Sequence, residues 1–129
     1  MERIRLSDPG LGEAELDRLR PILVSGMLVQ GAVVARFEAA VAERTGRAHA
    51  IAVSSGTAAL ELVLEALDVR GGEVVVPALT WPSPAHAAIR AGARVSLADV
   101  DRDEWNATPD ALRAAVGEDT RAIVAIDQF

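Results

Sequence analysis

The residues best suited to chemistry follow a short apolar run in the middle of the chain. Residues 50–53 are predicted to form a buried strand, residues 54–56 (Ser-Ser-Gly) a turn, and residues 57–67 a helix. A glycine at this junction lets a ligand approach the backbone closely or allows a positive φ. The N–H groups that follow are unpaired at a helix start, and Thr57 adds a hydroxyl. The junction suits an anion such as a phosphate, although an ordinary helix cap uses the same residue types.

A second candidate lies on the loop after the next predicted strand. Residues 73–76 are predicted to form that strand, which ends at Pro77, and Trp81 follows in a proline-flanked loop. In open α/β sheets, ligands bind at the carboxyl ends of the strands. At that position the indole can either stack on a planar cofactor ring or cover the end of a helix.

The composition excludes several kinds of site. All 13 basic residues are arginines, so the 129 residues contain no lysine for a P-loop, a Schiff base or a general base. They contain no cysteine, which excludes disulfides, thiolate metal ligands and cysteine nucleophiles. The net charge of -6 and the lack of a basic cluster argue against a nucleic-acid partner.

The remaining polar residues make weaker candidates. Four acidic side chains cluster after one predicted strand: Asp99, Asp101, Asp103 and Glu104. They lack the EF-hand pattern, so a solvated acidic turn is favoured over a metal site, and Asn106 beside them fits turn chemistry. His49 and His86 have no partner at ligand spacing. We therefore predict no metal site.

The elements that must position these residues alternate along the chain. The helices are predicted at 13–24, 33–45, 57–67, 83–91 and 109–116, and the strands at 50–53, 73–76, 94–98 and 121–126. Three consecutive strand–helix–strand units predict a mainly parallel α/β sheet covered on both faces. Their order suggests one continuous four-stranded sheet. The side chains predicted to face inward from the first three helices are Leu16, Leu19, Leu23, Val24, Val34, Phe37, Ala40, Val41, Leu60, Val63, Leu64 and Leu67.

The chain shows no apolar run of membrane-spanning length and no apolar core near its first residue. From these two features we expect a cytoplasmic protein without a membrane partner. A length of 129 residues, half of them hydrophobic, suits a single domain with a real core.

Taken in order, these residues resemble the DegT/DnrJ/EryC1/StrS family of sugar aminotransferases, which use pyridoxal 5'-phosphate (PLP). The motifs that carry the resemblance are Leu6-Ser7-Asp8-Pro9 with Leu11-Gly12-Glu13, Ser25-Gly26 with Leu28 and Gly31, Phe37-Glu38, the stretch from Ala52 to Leu60, Gly71 to Pro77 with Thr80-Trp81, Gly92-Ala93, Asp99-Val100-Asp101 and Asn106. Together they span essentially the whole chain.

The resemblance implies the N-terminal portion of a fold-type I PLP-dependent transferase large domain, three-layered, with a mainly parallel sheet. Residues 1–48 would form an N-terminal helical segment and residues 49–129 an incomplete α/β sheet, with residues 50–53 lying apart from the other three strands. Gly56, Thr57 and Ala58 would hold the PLP phosphate, and Trp81 would stack on the pyridine ring. Residues 28–31 would lie near an active site, either this subunit's or its partner's.

The family's activity is transfer of an amino group from glutamate or glutamine to a keto-sugar or keto-cyclitol, usually by a homodimer. Its members are longer, and their Schiff-base lysine and pyridine-pairing aspartate lie beyond the stretch that this chain matches; Asp127 is not that aspartate. We therefore expect an N-terminal fragment that is inactive alone. The alternatives are a non-catalytic α/β module that binds a phosphorylated ligand, or a chain that associates with a full-length aminotransferase.

Overall fold

The computed structural model describes residues 9–128, so Leu6, Ser7 and Asp8 of the opening motif lie outside the described residues. The chain divides into two compact units, Met1–Ala52 and Val53–Phe129. The first is helical, and the second is an α/β sheet with its helices.

Two helices make up the described part of the first unit: α1, Glu13–Ser25, and α2, Ala32–Thr45. The N–H of Gly12 donates to the Glu15 carboxylate at 2.9 Å, which fixes the start of α1. The helix continues through Pro21 and is not shortened there. Gly46 ends α2 with a φ of 66°, a conformation that glycine adopts without strain, so the helix ends at Thr45 as predicted.

The prediction that α1 and α2 bury apolar faces is wrong for the described residues. Neither helix has a buried residue. On α1 the four predicted inward side chains are 50% to 83% exposed, and on α2 Phe37 is 60% exposed and Ala40 is exposed. Val34 and Val41 are half-buried. Helical spacing creates an apolar face, but burial also needs a neighbour, and the described residues of this unit, 9–52, do not supply one.

The predicted strand at residues 50–53 does not form. Strand geometry is maintained by pairing with a neighbour, and these residues pair with no strand among residues 9–128. The N–H of Ala52 donates instead to the Glu38 carboxylate at 2.8 Å. Ile51, predicted to be buried, is 81% exposed, and Val53 is also exposed.

The second unit contains a parallel sheet of three strands: β1, Glu73–Pro77, β2, Arg94–Ala98, and β3, Thr120–Ile123. Their order is β2-β1-β3, with β1 in the centre. The suggested continuous four-stranded sheet is therefore wrong. The grouping of these three strands without residues 50–53 is the one that the family resemblance implied.

One face of the sheet carries α3, Gly56–Ala66, and α4, Ser83–Arg90. Val74 and Val76 of β1 lie in a core with Leu64 of α3 and with Ala87 and Ala88 of α4. The two alanines are fully buried, and their small side chains let α4 approach the strands closely. This core positions the start of α3 beside the end of β1.

Val63 and Leu67 are more than half exposed, although both were predicted to face inward. The buried stripe of α3 runs through Leu60 and Leu64 instead. Val63 lies outside this stripe and is not among the residues packed against the core. Leu67 is the C-cap residue, one position after the last helical residue, Ala66.

The opposite face of the sheet carries α5, Pro109–Ala115. Val75 points to this side because successive side chains alternate along a strand, and its register partner Ser96 does likewise. The Ser96 hydroxyl donates to the carbonyl of Ala115 at the end of α5. The three layers that the family resemblance implied are therefore present: α3 and α4, the sheet, and α5.

Candidate functional site

A cavity of ≈ 530 Å³ lies where the loops after β1 and β3 meet the start of α3. Its lining residues are Gly56, Thr57, Ala59, Leu60, Thr80, Trp81, Ser83, Pro84 and Ile126. The loops leave the carboxyl ends of two neighbouring parallel strands, the usual position of ligands in an open α/β sheet. Of the four predicted site residues, the cavity brings together Gly56, Thr57 and Trp81, and Ala58 is not in its lining.

The start of α3 is capped by a side chain. Ser55 is the N-cap residue, and its hydroxyl oxygen accepts the N–H of Ala58 at 3.1 Å. The N–H groups of Gly56 and Thr57 have no hydrogen-bond partner within residues 9–128. Two free helix-start donors, with the positive end of the helix dipole behind them, therefore lie at the cavity.

The backbone conformation of the chain does not require glycine at position 56, whereas a ligand at the cavity would benefit from the missing side chain. Gly56 is the first residue of α3, and its φ lies outside the left-handed region, so the backbone does not require glycine. A Cβ built there would meet no other atom within 4 Å. The Cβ would instead take up space at the cavity. A phosphate that accepted hydrogen bonds from the two free N–H groups would need that same space. The residues present thus fit the phosphate end of PLP.

Trp81 lies between β1 and α4 and is 76% exposed. The loop that carries it is fixed at both ends: the N–H of Ala78 donates to the Ala98 carbonyl at 2.8 Å, and Pro84 in the first turn of α4 is buried. An indole held at a cavity with its surface open is placed to stack on a planar ring. The reading of Trp81 as a cover for a helix end is not favoured by this exposure.

Sequence reasoning missed six residues of the lining: Ala59, Leu60, Thr80, Ser83, Pro84 and Ile126. Thr80 precedes Trp81 in the same loop and Ser83 begins α4 two residues after it, so proximity in sequence to Trp81 is a signal that could have found both hydroxyls. Ile126 is the last residue of the predicted strand 121–126, but β3 ends at Ile123. No local signal in the sequence brings Ile126 to Gly56, because that proximity depends on the pairing of β1 with β3.

The acidic turn after β2 is separate from the cavity lining. The Asp101 carboxylate accepts the N–H groups of Asp103 and Glu104 at 2.8 and 3.0 Å. These bonds, that from Glu104 first, lower the pKa of Asp101 below its ordinary value. Among residues 9–128, no group of three acidic or histidine side chains is arranged to hold a metal ion, and His49 and His86 are exposed. The carboxylate of Asp101 serves the turn.

Within the described residues, no helix combines the length and apolarity needed to cross a membrane.

Comparison with known proteins gives consistent matches. The DegT/DnrJ/EryC1/StrS aminotransferase family matches residues 9–129. The aminotransferase from Psychrobacter cryohalolentis is 32% identical, with a TM-score of 0.82 over 91% of this chain and 30% of its own. The E. coli GDP-4-keto-6-deoxy-D-mannose-3-dehydratase with bound hydrated PLP is 29% identical, with a TM-score of 0.85 over 97% and 34%. The 3-amino-5-hydroxybenzoic acid synthase is 41% identical, with a TM-score of 0.79 over 91% and 31%.

The expected fold class is confirmed by these matches: the chain has the fold of the N-terminal portion of a fold-type I PLP-dependent transferase large domain. It spans about a third of the length of these solved structures.

Proposed function

The chain belongs to the DegT/DnrJ/EryC1/StrS aminotransferase family, and on that premise we propose that it is the N-terminal part of a PLP-dependent aminotransferase. The observation that carries the proposal is the single cavity lining that joins the two free N–H groups of α3 to the exposed Trp81. A ligand that contains both a phosphate and an aromatic ring would use the free N–H groups and the indole together.

The four predicted cofactor-binding residues and two apolar residues of the lining each have a defined task in this proposal. The N–H groups of Gly56 and Thr57 donate to the phosphate, and the Thr57 hydroxyl is available as a further donor. Ala58 contributes by donating to Ser55, which fixes the first turn of α3. Trp81 stacks on the pyridine ring, and Leu60 with Ile126 gives the wall that excludes water from it.

When bound, PLP supplies the electron sink that lets a proton leave the carbon bearing the donor's amino group. Proton transfer also needs an amine that can be uncharged, and a guanidinium stays protonated in proteins. The 129 residues contain arginine and no lysine. This chain alone therefore holds part of the cofactor site and is catalytically incompetent.

The proposed reaction of the complete enzyme moves an amino group from glutamate or glutamine to a keto-sugar or a keto-cyclitol. The higher identity to 3-amino-5-hydroxybenzoic acid synthase, 41%, supports an acceptor with a carbon ring. The complete enzyme is a cytoplasmic homodimer in this proposal. Leu28 and Val29, which would lie near an active site, are exposed and free to contact a partner subunit.

The test uses pyridoxine 5'-phosphate, which carries an alcohol in place of the aldehyde and so cannot bond covalently to the α-amino group of Met1. In equilibrium dialysis the 129-residue chain should bind this probe and bind pyridoxine, which lacks the phosphate, much more weakly. Equal binding of an unrelated sugar phosphate would support the non-catalytic phosphate-binding module instead. Absence of binding would overturn the assignment of the cavity.

A second experiment tests the incompetence of the chain. After incubation with PLP and reduction with borohydride, peptide mapping should place any adduct on the α-amino group of Met1 alone, because no side chain offers a primary amine. An adduct on an internal side chain would contradict the proposal.

A further inference from the structure

One wall of the cavity belongs to a segment without helix or strand. Residues 124–128 follow β3, and Ile126 in their middle lines the cavity. The segment is anchored on both sides of Ile126. On one side the N–H of Val124 donates to the carbonyl of Val75 in β1, at 2.9 Å. On the other side the N–H of Gln128 donates to the side-chain oxygen of Asn106, at 2.7 Å.

The second anchor depends on one side chain. Within the described residues, no further hydrogen bond holds residues 125–127. The Val124 bond joins two backbones and survives any substitution that keeps the sheet. The Asn106 bond joins a side chain to a backbone 22 residues away, so a single substitution removes it.

Asn106 is itself held firmly. The backbone carbonyl of Asn106 accepts the N–H of Asp101 at 2.9 Å, and the backbone carbonyl of Asp101 accepts the N–H of Trp105 at 3.0 Å. Two residues further on, the Thr108 hydroxyl caps α5 by accepting the N–H of Ala111 at 3.1 Å. The Asn106 side chain thus extends from a closed turn that leads directly into a capped helix, and it is half-buried. A fixed acceptor can determine the position of a segment that has no regular structure of its own.

From this arrangement we infer that Asn106 is a positioning residue for the cavity: it fixes the segment that carries Ile126, and so sets the wall against which the ligand lies. The inference rests on the proposed function for the identity of that ligand. Asn106 does not line the cavity and acts only through the backbone of Gln128.

The test compares Asn106→Ala with Asn106→Asp, which keeps an oxygen acceptor at the same distance along the side chain. Arg102→Ala is the matched control, since Arg102 is exposed in the same turn and its side chain has no hydrogen-bond partner among the described residues. Amide exchange at residues 126–128, measured by NMR without ligand, reports the anchor. The affinity for pyridoxine 5'-phosphate reports the cavity.

Asn106→Ala should speed exchange at Gln128 and weaken probe binding by roughly three- to tenfold, the worth of one hydrogen bond. Asn106→Asp and Arg102→Ala should leave both readouts near those of the unsubstituted chain. Unchanged exchange in Asn106→Ala, or faster exchange with unchanged affinity, would overturn the inference while the proposed function stands. Absence of probe binding by the unsubstituted chain would overturn the proposed function and, with it, the role of Asn106.

Discussion

The Glu38 carboxylate accepts the backbone N–H of Ala52 at 2.8 Å, across 14 residues of sequence. Glu38 lies in the middle of α2, and Ala52 lies two residues before Ser54, where the turn to α3 begins. The bond satisfies an N–H group in a segment that the sequence pattern assigns to a strand but that has no strand partner. The Glu38 side chain therefore accepts the hydrogen bond that a neighbouring strand would accept in a sheet.

Removal of this carboxylate should release the segment. Glu38→Ala should accelerate amide exchange at Ala52 and lower the free energy of unfolding by about 1 kcal/mol, the typical worth of one such hydrogen bond. Glu38→Gln keeps an acceptor and should restore most of the protection. Glu43→Ala, at an exposed position of the same helix, is the control. If exchange at Ala52 is the same in all four chains, the bond does not hold the segment in solution.

A branched side chain at the start of α3 should block the cavity. Gly56→Val would place two methyl groups where the backbone now lies open, and we expect roughly tenfold or greater loss of affinity for pyridoxine 5'-phosphate. Gly117→Val is a matched control, because Gly117 also has open space beside it and lies outside the cavity lining. Both variants should keep their circular dichroism spectra. Unchanged affinity in Gly56→Val would mean that the start of α3 is only a capped helix end.

The indole of Trp81 should contribute to affinity through its ring face. Trp81→Ala should weaken binding of the probe by roughly fivefold, whereas Trp81→Phe should lose less because a phenyl ring still stacks. Calorimetric titration gives both values. Trp105→Phe serves as control, since Trp105 is not part of the cavity lining. An alanine variant that binds as well as the phenylalanine variant would exclude stacking.

The turn at Asp101 should respond to acid. The two N–H groups that donate to its carboxylate lower the pKa of Asp101 in the folded chain, so the ionised form stabilises the turn. A lowered folded pKa means that this contribution is present at neutral pH and disappears as pH falls below about 4, towards the folded pKa. An NMR titration of the carboxyl carbon should give a midpoint below the ordinary value for aspartate. Asp101→Asn should remove the acid sensitivity of the Asp103 and Glu104 amide signals; a midpoint at the ordinary value would contradict the bonds.

The sequence predicts best where a residue's environment is local. Strand β2 has the predicted bounds, Arg94–Ala98, because Gly92 before it and the acidic turn after it limit the strand at both ends. The end of α2 at Thr45 also has the predicted position, because Gly46 directly after it adopts a left-handed conformation. Gly56, Thr57 and Trp81 follow predicted strands at a distance of a few residues, which is a local signal, and all three line one cavity.

The failures all concern partners distant in sequence. Residues 50–53 have the composition of a strand, but a strand needs a neighbour that the pattern cannot name. Leu16 and Phe37 have helical spacing, which says nothing about what covers them. Ile126 reaches the cavity only because β3 pairs with β1 and Asn106 holds the segment beyond it. Such information lies in the tertiary structure.

The central position of β1 in the sheet has a consequence for how the second unit assembles. Val75 pairs with Ser96 on one side and with Ile123 on the other, and the second partner is more than twice as far along the chain. Closing the shorter loop costs less entropy, so the β1–β2 pair should form before β3 docks. During synthesis one edge of β1 would then stay unpaired until Thr120 has left the ribosome, and Ile126 would be the last of the lining residues named above to take its position.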